Sequence, residues 1–535
     1  MLVSRETDIL GQETAYTYDP RGRVLSQRSV RGPSVSETTM RYSDDPDNLS
    51  IVMQVRSSGG SQDKEILGKF NQYGKPYEIT MTPKGQPAQT TRYAYGPTLE
   101  IASVTDHLGR ATRYSYDELD RLSELTKPDG SKVSVAYEDG GNTKIVTDEN
   151  GNATRYRYDA RDNLVQVRLP NVYTAYYRYD GLGKLTETVD MRNLKTLYRY
   201  DEAGNLIEKV NPNGSRESYS YDAENRLLSR TDAKEQTTHY SGYDSQGRPK
   251  EILYGDGTRV SYAYDRGYPG TLSEVIVEGS DPQRYRYSYT ALGQRESVEK
   301  VLGGETYRIE YAWDDTGLLL RRRDSMSGRW QENSYDSLGR ITGVRYEIDG
   351  SLTPVVSDIV YTPGSQVAGY SLPRQKIKFA YTYDANNDRM LSMSAHGPLM
   401  LSGKKPYSIK GETPWLKDGL YIQQSYRYDA GGNMTDMVQE EWDGMRYSHH
   451  YSYDVINQLT GYDNQVAGSK SQSLKYEYDP QGNRLVTQYP NETYRHEIAN
   501  DSNELLSKWE GQRNSNNVCF GPPAGVFVFG DIPLV

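Results

Sequence analysis

The chain has 535 residues, with 63 basic against 73 acidic side chains and a net charge of −10. No basic run occurs, which argues against nucleic acid as a partner because phosphate neutralisation needs clustered Lys and Arg. Hydrophobic residues make up 35%, a figure that includes 49 Tyr against 5 Phe and 5 Trp, so there is too little oil for a set of compact dry-cored domains; the same aromatic richness argues against disorder.

In chain order, the N-terminus MLVSRETDIL lacks the basic-then-apolar order of a signal peptide. Asp8-Ile-Leu-Gly11 already reads as a turn, so Met1 falls inside a repeat, and the chain reads as a piece of a longer array. Residues 1–92 carry degenerate copies of one pattern, such as Tyr18 followed by Asp19, Arg41-Tyr42-Ser-Asp44 and Phe70-Asn-Gln-Tyr73-Gly74.

Residues 93–344 carry the pattern in full. The second Tyr of Tyr-x-Tyr-Asp falls at Tyr95, Tyr116, Tyr137, Tyr158, Tyr179, Tyr200 and Tyr221, every step being 21 residues. The spacing then loosens through Tyr243, Tyr264, Tyr289, Trp313 and Tyr335. In Thr154-Arg-Tyr156-Arg-Tyr158 alternate residues share a face, the period of a strand. The position after the Tyr is Asp117, Asp159, Asp180, Asp201 and Asp222, with Gly96 in one copy and Glu138 in another. Three residues further on stand Asp120, Gly141, Asp162, Gly183, Gly204 and Asn225, the types that tolerate the left-handed backbone region. The same slot elsewhere reads Gly22, Gly247, Gly317, Gly339, Asn387, Gly432, Asn457 and Gly482. Asp followed by such a residue describes a type I turn with a bulge. Leu122, Leu164, Leu185, Leu206 and Leu227 then open the returning strands. A second turn series at Gly109, Gly130, Gly151, Asn193 and Gly214 keeps the same frame. Each repeat is thus one hairpin of strands of about six residues, and helices have almost nowhere to form.

Residues 345–425 read as an insertion-rich part of the same sheet, interrupted by Thr362-Pro-Gly364 and Lys404-Lys405-Pro406. Residues 426–500 resume the pattern at Tyr428, Tyr453 and Tyr478. Residues 501–535 form an atypical tail with the sole cysteine, Cys519, and with Phe520, Phe527 and Phe529. One cysteine excludes an intrachain disulfide framework and a Cys-based zinc site. No 18-residue apolar run is present, so no transmembrane helix is expected.

Copies such as Tyr198-Arg-Tyr200-Asp201-Glu-Ala-Gly204-Asn205-Leu206 resemble the YD repeats of the RHS family, from about Gly11 to Arg495. That family includes bacterial Rhs polymorphic toxins, the C components of insecticidal toxin complexes, wall-associated proteins and teneurins. The resemblance implies an all-β, long antiparallel hairpin meander spiralling into a hollow shell, of which this chain is a part. In the toxins such a shell encloses a C-terminal toxic polypeptide. The self-cleaving Asp-Pro-x-Gly-Leu motif of those toxins is not matched at Asp19-Pro20, Asp45-Pro46, Asp281-Pro282 or Asp479-Pro480, so neither autoproteolysis nor a toxin domain is carried over. A sheet of about thirty short strands must curl or close, and a wall lined by Tyr, with rings packed and hydroxyls in water, suits a cavity.

No catalytic, cofactor or metal site is expected. Glu440-Glu441 and Asp314-Asp315 are adjacent and face opposite sides of a strand, whereas a glycosidase needs convergent carboxyls. His107, His239, His396, His449, His450 and His496 lack the spacing of a helical metal site. The repeat Tyr and Asp read as packing and turn residues. The sequence therefore reads as a non-enzymatic shell segment, secreted or at a bacterial surface by a route not encoded in the chain. Its expected partners are a C-terminal toxin or cargo polypeptide and another RHS shell half or a delivery-apparatus protein. The alternative is a surface adhesion or carbohydrate-binding array, with glycans as partner.

Overall fold

A computed structural model of the chain describes residues 3–7, 13–31, 34–46, 48–57, 63–171, 173–314, 316–397, 419–467, 469, 471–490, 492–498 and 505–508. The turn read at Asp8–Gly11, the loop at Lys404–Pro406, Cys519 and the three tail phenylalanines lie outside the described residues. Among the described residues there are 43 strands, from Arg5–Thr7 to Leu505–Lys508, and one three-residue 3-10 turn at Asp139–Gly141. Each strand pairs antiparallel with its neighbours in sequence, and the first and last do not pair with each other. The fold is an all-β meander rolled into an open wall.

The strand count exceeds the thirty read from the repeats because the degenerate stretches pair as fully as the regular ones. They do so with longer strands, including Ser34–Ser43, Ser351–Tyr361 and Gly419–Tyr428, of 10, 11 and 10 residues. Pro354 has no amide hydrogen to give to a ladder, and it sits where the register against Val344–Arg345 slips. That bulge lets the long strand continue through a residue that breaks sequence periodicity.

The corners set the geometry. In the first series Asp117 N–H donates to Arg121 O at 2.9 Å and Asp120 N–H to Asp117 O at 3.0 Å. The Asp117 carboxylate closes the loop, its Oδ1 accepting from the amides of Leu119 and Arg121 at 2.9 and 3.0 Å. Asp159, Asp180, Asp201 and Asp222 likewise cap their own corners. Left-handed φ values occur at Asp120 (57°), Asp162 (62°), Gly183 (80°), Gly204 (94°) and Asn225 (61°), and in the second series at Gly109 (80°) and Asn193 (63°).

Two corners differ from the sequence reading. Glu138 stands where most copies have Asp; its longer side chain reaches across to pair with Arg155 rather than capping the turn. That corner distorts into the 3-10 turn, with Asp139, Gly140 and Gly141 all at positive φ (51°, 69° and 105°). At 384–389 the loop is one residue longer, closing from Asp384 N to Arg389 O, and the left-handed residue is Asp388 (φ 59°) rather than Asn387.

The wall is one sheet thick. Among the described residues the buried apolar ones are Val135, Ala175, Val260, Leu319 and Ala395, and no large side chain is fully buried. In Ala153–Tyr158 the residues Thr154, Tyr156 and Tyr158 are half-buried on one face, while Ala153, Arg155 and Arg157 are exposed on the other.

At Gly214 the backbone is left-handed (φ 81°) and an added Cβ would meet nothing within 4 Å, so only the backbone limits substitution there. Gly214→Val is expected to lower local stability by about 1–3 kcal/mol, with Gly214→Asn close to wild type. Hydrogen exchange across the strands on either side of this corner checks it.

Candidate functional site

The feature that can act is the wall itself: the bonds that lock each hairpin to the last, the charges that line it, and the contacts by which it winds back on itself. Where a first-series corner bulges, the carbonyl of the residue opening the return strand leaves the ladder. The hydroxyl of the next repeat's second Tyr donates to it. Tyr116 reaches Ile101 O (3.0 Å), Tyr137 Leu122 O (3.2 Å), Tyr179 Leu164 O (3.0 Å), Tyr200 Leu185 O (2.9 Å) and Tyr221 Leu206 O (3.0 Å). Trp313 substitutes its ring N–H, which donates to Arg295 O at 2.7 Å. The hydroxyls of these second tyrosines are therefore bound to backbone, a partner that the reading of a wetted tyrosine lining did not give them. Tyr158 shares the half-buried face, its amide donating to Asn142 O at 2.7 Å.

The same bond reveals a corner that sequence inspection passes over. Tyr361 Oη donates to Ile341 O at 2.7 Å, Thr362 N–H donates to Gln366 O, and Ser365 is left-handed (φ 69°). Thr in place of Asp and Ser in place of Gly hide it. The usable signal is the aromatic donor about 20 residues after an apolar strand opener.

Charge replaces oil across the wall. Buried carboxylates sit between cations on neighbouring strands: Glu187 between Arg178 (3.3 Å) and Lys195 (3.0 Å), and Glu274 with Arg284 (2.7 Å) and Arg286 (3.2 Å). Glu332 lies between Arg321 and Arg345. Glu217, on the tyrosine face, accepts from Lys209 and Arg230, each at 2.9 Å, and from Tyr219 Oη at 3.1 Å. Lys209 and Arg230 outweigh the burial that would raise its carboxyl, holding it down at about 2.

A second aromatic grouping lies at 370–476. Tyr370 stacks on Phe379 with ring centroids 4.8 Å apart, and Tyr451 lies 5.4 Å from Tyr462. Burial pushes the hydroxyls of Tyr426 and Tyr462 up to about 12 and lowers His449, whose Nδ1 is 2.7 Å from Tyr462 Oη. His450 points away, 3.1 Å from Asp436. Asp314 caps its own corner and Glu440 pairs with Arg446 at 3.7 Å; Asp315 lies outside the described residues. Among the described residues no three His, Cys, Asp or Glu gather to hold a metal, and no helix is long and apolar enough to cross a membrane.

The wall also meets itself. Second-series corners early in the chain touch first-series corners more than 250 residues later. His107 Nε2 lies 2.9 Å from Pro363 O, and Arg110 pairs with Asp388 at 2.6 Å. Asn387 Nδ2 donates to Asp129 Oδ2 at 3.0 Å, and Gly431 N–H to Asn150 Oδ1 at 3.1 Å. Arg192 and Asp479 approach to 3.5 Å with side chains only 13% and 7% exposed. One rim of an earlier turn of sheet thus sits on the opposite rim of a later turn, and the sheet is a spiral.

A single-layered, corner-locked antiparallel wall that winds back on itself is the architecture of a YD-repeat shell. The family model for the teneurin YD-shell matches residues 196–351, and that for the RHS repeat matches 2–34, 100–132 and 137–171. This chain belongs to the RHS/YD-repeat family. It is similar to the toxin protein Tse5 of Pseudomonas aeruginosa, 26% identical over 236 residues that make up 41% of this chain and 16% of that protein. Among solved structures it resembles TcdB2-TccC3-TEV, at a TM-score of 0.76 and 13% identity over 94% of this chain and 34% of that one. It also resembles the Tc holotoxin pore of Photorhabdus luminescens, at 0.69 and 15% over 89% and 27%. At such identities the structural likeness establishes the fold, and the chain spans about a third or less of each of these proteins.

Two outcomes are expected. Tyr200→Phe removes the donor to Leu185 O and should weaken that hairpin by about 1 kcal/mol, read as faster hydrogen exchange in Leu185–Val189. A carboxyl depressed in the folded state stabilises above its unfolded value, near 4.3, and loses that contribution as pH falls towards its folded value. Glu217→Gln should therefore lower the urea midpoint at pH 7, with the difference from wild type shrinking between about pH 4 and pH 2.

Proposed function

We propose that this chain is a wall segment of a toxin-related shell that encapsulates or presents an attached polypeptide, in a bacterial toxin or effector delivery system, without a catalytic step of its own. The observation that carries this reading is the meeting of corners across the spiral, such as Arg110 with Asp388 and Arg192 with Asp479. A sheet one layer thick that returns upon itself encloses space, and the described residues bury few apolar side chains to fill it. The likeness to a protein named as a toxin and to toxin-complex structures supports the setting.

Under this reading the wall works by exclusion. Among the described residues each strand is paired along the ladder with its neighbours in sequence, so a protease outside finds few free strand edges. The partners are a toxin or cargo polypeptide and either a second RHS shell half or a delivery-apparatus protein. The place of action is secreted or at the cell surface.

The test is protease protection. Produced together with the polypeptide encoded beside it, the chain should slow tryptic digestion of that polypeptide at least tenfold relative to the polypeptide alone, and urea that melts the wall should abolish the effect. Equal digestion rates with and without the wall would count against encapsulation. Retention on polysaccharide columns with no protection would favour the adhesion reading.

A further inference from the structure

We propose that the spiral is fastened by an electrostatic seam clasped by the corner Asp384–Arg389, and that the wall opens by parting along this seam while the strand ladder stays intact. Within a turn of the spiral every neighbour is joined by backbone hydrogen bonds. The contacts described between turns all involve side chains: His107 with Pro363, Arg110 with Asp388, Asp129 with Asn387, Asn150 with Asp429 and Gly431, and Arg192 with Asp479. The two kinds of joint respond differently to solvent. Of the contacts between turns, Arg110–Asp388 and Arg192–Asp479 are charge pairs; the first, with Asp388 the more exposed partner, is the one salt screens most, the buried second is screened less, and a ladder is not screened.

The clasp follows from the extra residue in that corner. The longer loop carries three consecutive side chains to three places. Asp388 reaches Arg110, which Asp106 also holds at 2.6 Å. Asn387 reaches Asp129, and the Arg389 guanidinium donates to the carbonyls of Asp429 (2.7 Å) and Ala430 (2.9 Å). Two corners of the earlier turn and the next corner of the later turn are thereby held by one loop. The cleft between the turns is lined by Val104, Asp106, Arg110, Thr112, Pro128 and Asn387, with few apolar groups to hold it once the charges are screened. Burial would raise the Asp129 carboxyl, but donors on Ser131 and Asn387 and the field of Arg389 overcome it and leave it at about 2. Glu149, beside Lys127 and Arg389, is also lowered against its burial. Asp129 therefore stays charged in mild acid, and ionic strength is the lever.

The inference concerns the wall alone, so a seam that never parts leaves the encapsulation reading standing, and a failure of encapsulation leaves the seam untouched. The test uses the full chain with Cys519→Ser, to which Asn150→Cys and Gly431→Cys are added. A Cβ built at Gly431 lies 3.3 Å from Asn150 Cγ, close enough for a disulfide across the seam. In about 1 M NaCl, where the screening length falls to about 3 Å, rising urea should expand the parent chain in small-angle scattering before far-UV dichroism changes. Oxidation of the cysteine pair should abolish that early expansion, and reductant should restore it. Scattering and dichroism changing together in both redox states would overturn the proposal. So would thiols that stay titratable after oxidation in a chain with unchanged dichroism. Independently, Asp388→Asn, which keeps the left-handed corner, should move the expansion to lower salt; an unmoved transition would refute the clasp.

Discussion

Most first-series hairpins of this wall depend on one backbone carbonyl, at the residue that opens the return strand. A corner with a left-handed residue and a bulge turns the chain tightly but takes that carbonyl out of the ladder. An orphaned carbonyl in a half-buried wall would cost about 1–3 kcal/mol per repeat. The next repeat supplies the donor through its second Tyr, so the repeat is not self-sufficient: it is completed by its successor. This is why the second aromatic of the repeat is Tyr where Phe would pack equally well. The capping Asp plays the matching part at the corner itself, and Glu138 shows the outcome when the carboxylate is one methylene too long.

With little oil available, the wall stays together by cross-strand charge. Glu187 and Glu332 each sit between cations from the two adjacent strands and Glu274 against two arginines of one, so that each buried carboxylate has a cation beside it. Such pairs act locally between neighbours and need no second layer behind them. A sheet stabilised in this manner can face solvent on one side and an enclosed volume on the other.

Much of this was legible in the residues. The 21-residue frame, the Asp that starts each corner and the Gly, Asn or Asp that ends it are local properties, and local properties are written in local sequence. The corner at Tyr361–Gln366 escaped because Thr362 and Ser365 satisfy the same geometry with different side chains. Asp388 displaced Asn387 because both tolerate the left-handed region and only the closing hydrogen bond tells which is used. The destination of the Tyr hydroxyls required knowing which carbonyl the bulge sets free. The meeting of Arg110 with Asp388 had no local signature at all: it depends on how far the sheet twists per strand, summed over the whole intervening wall.

That summation ties copy number to closure. A hairpin gained or lost before His107 leaves every meeting of the two rims unchanged, since both partners lie downstream of it. One gained or lost between Arg110 and Asp384 would shift all later corners by one hairpin, bringing Asp388 opposite a corner other than that of Arg110. Whole-repeat duplication, the easiest event in a repetitive gene, is thus tolerated in one stretch of the array and penalised in another, and lineages of such proteins should vary in length at their ends and hold constant the count within one circuit.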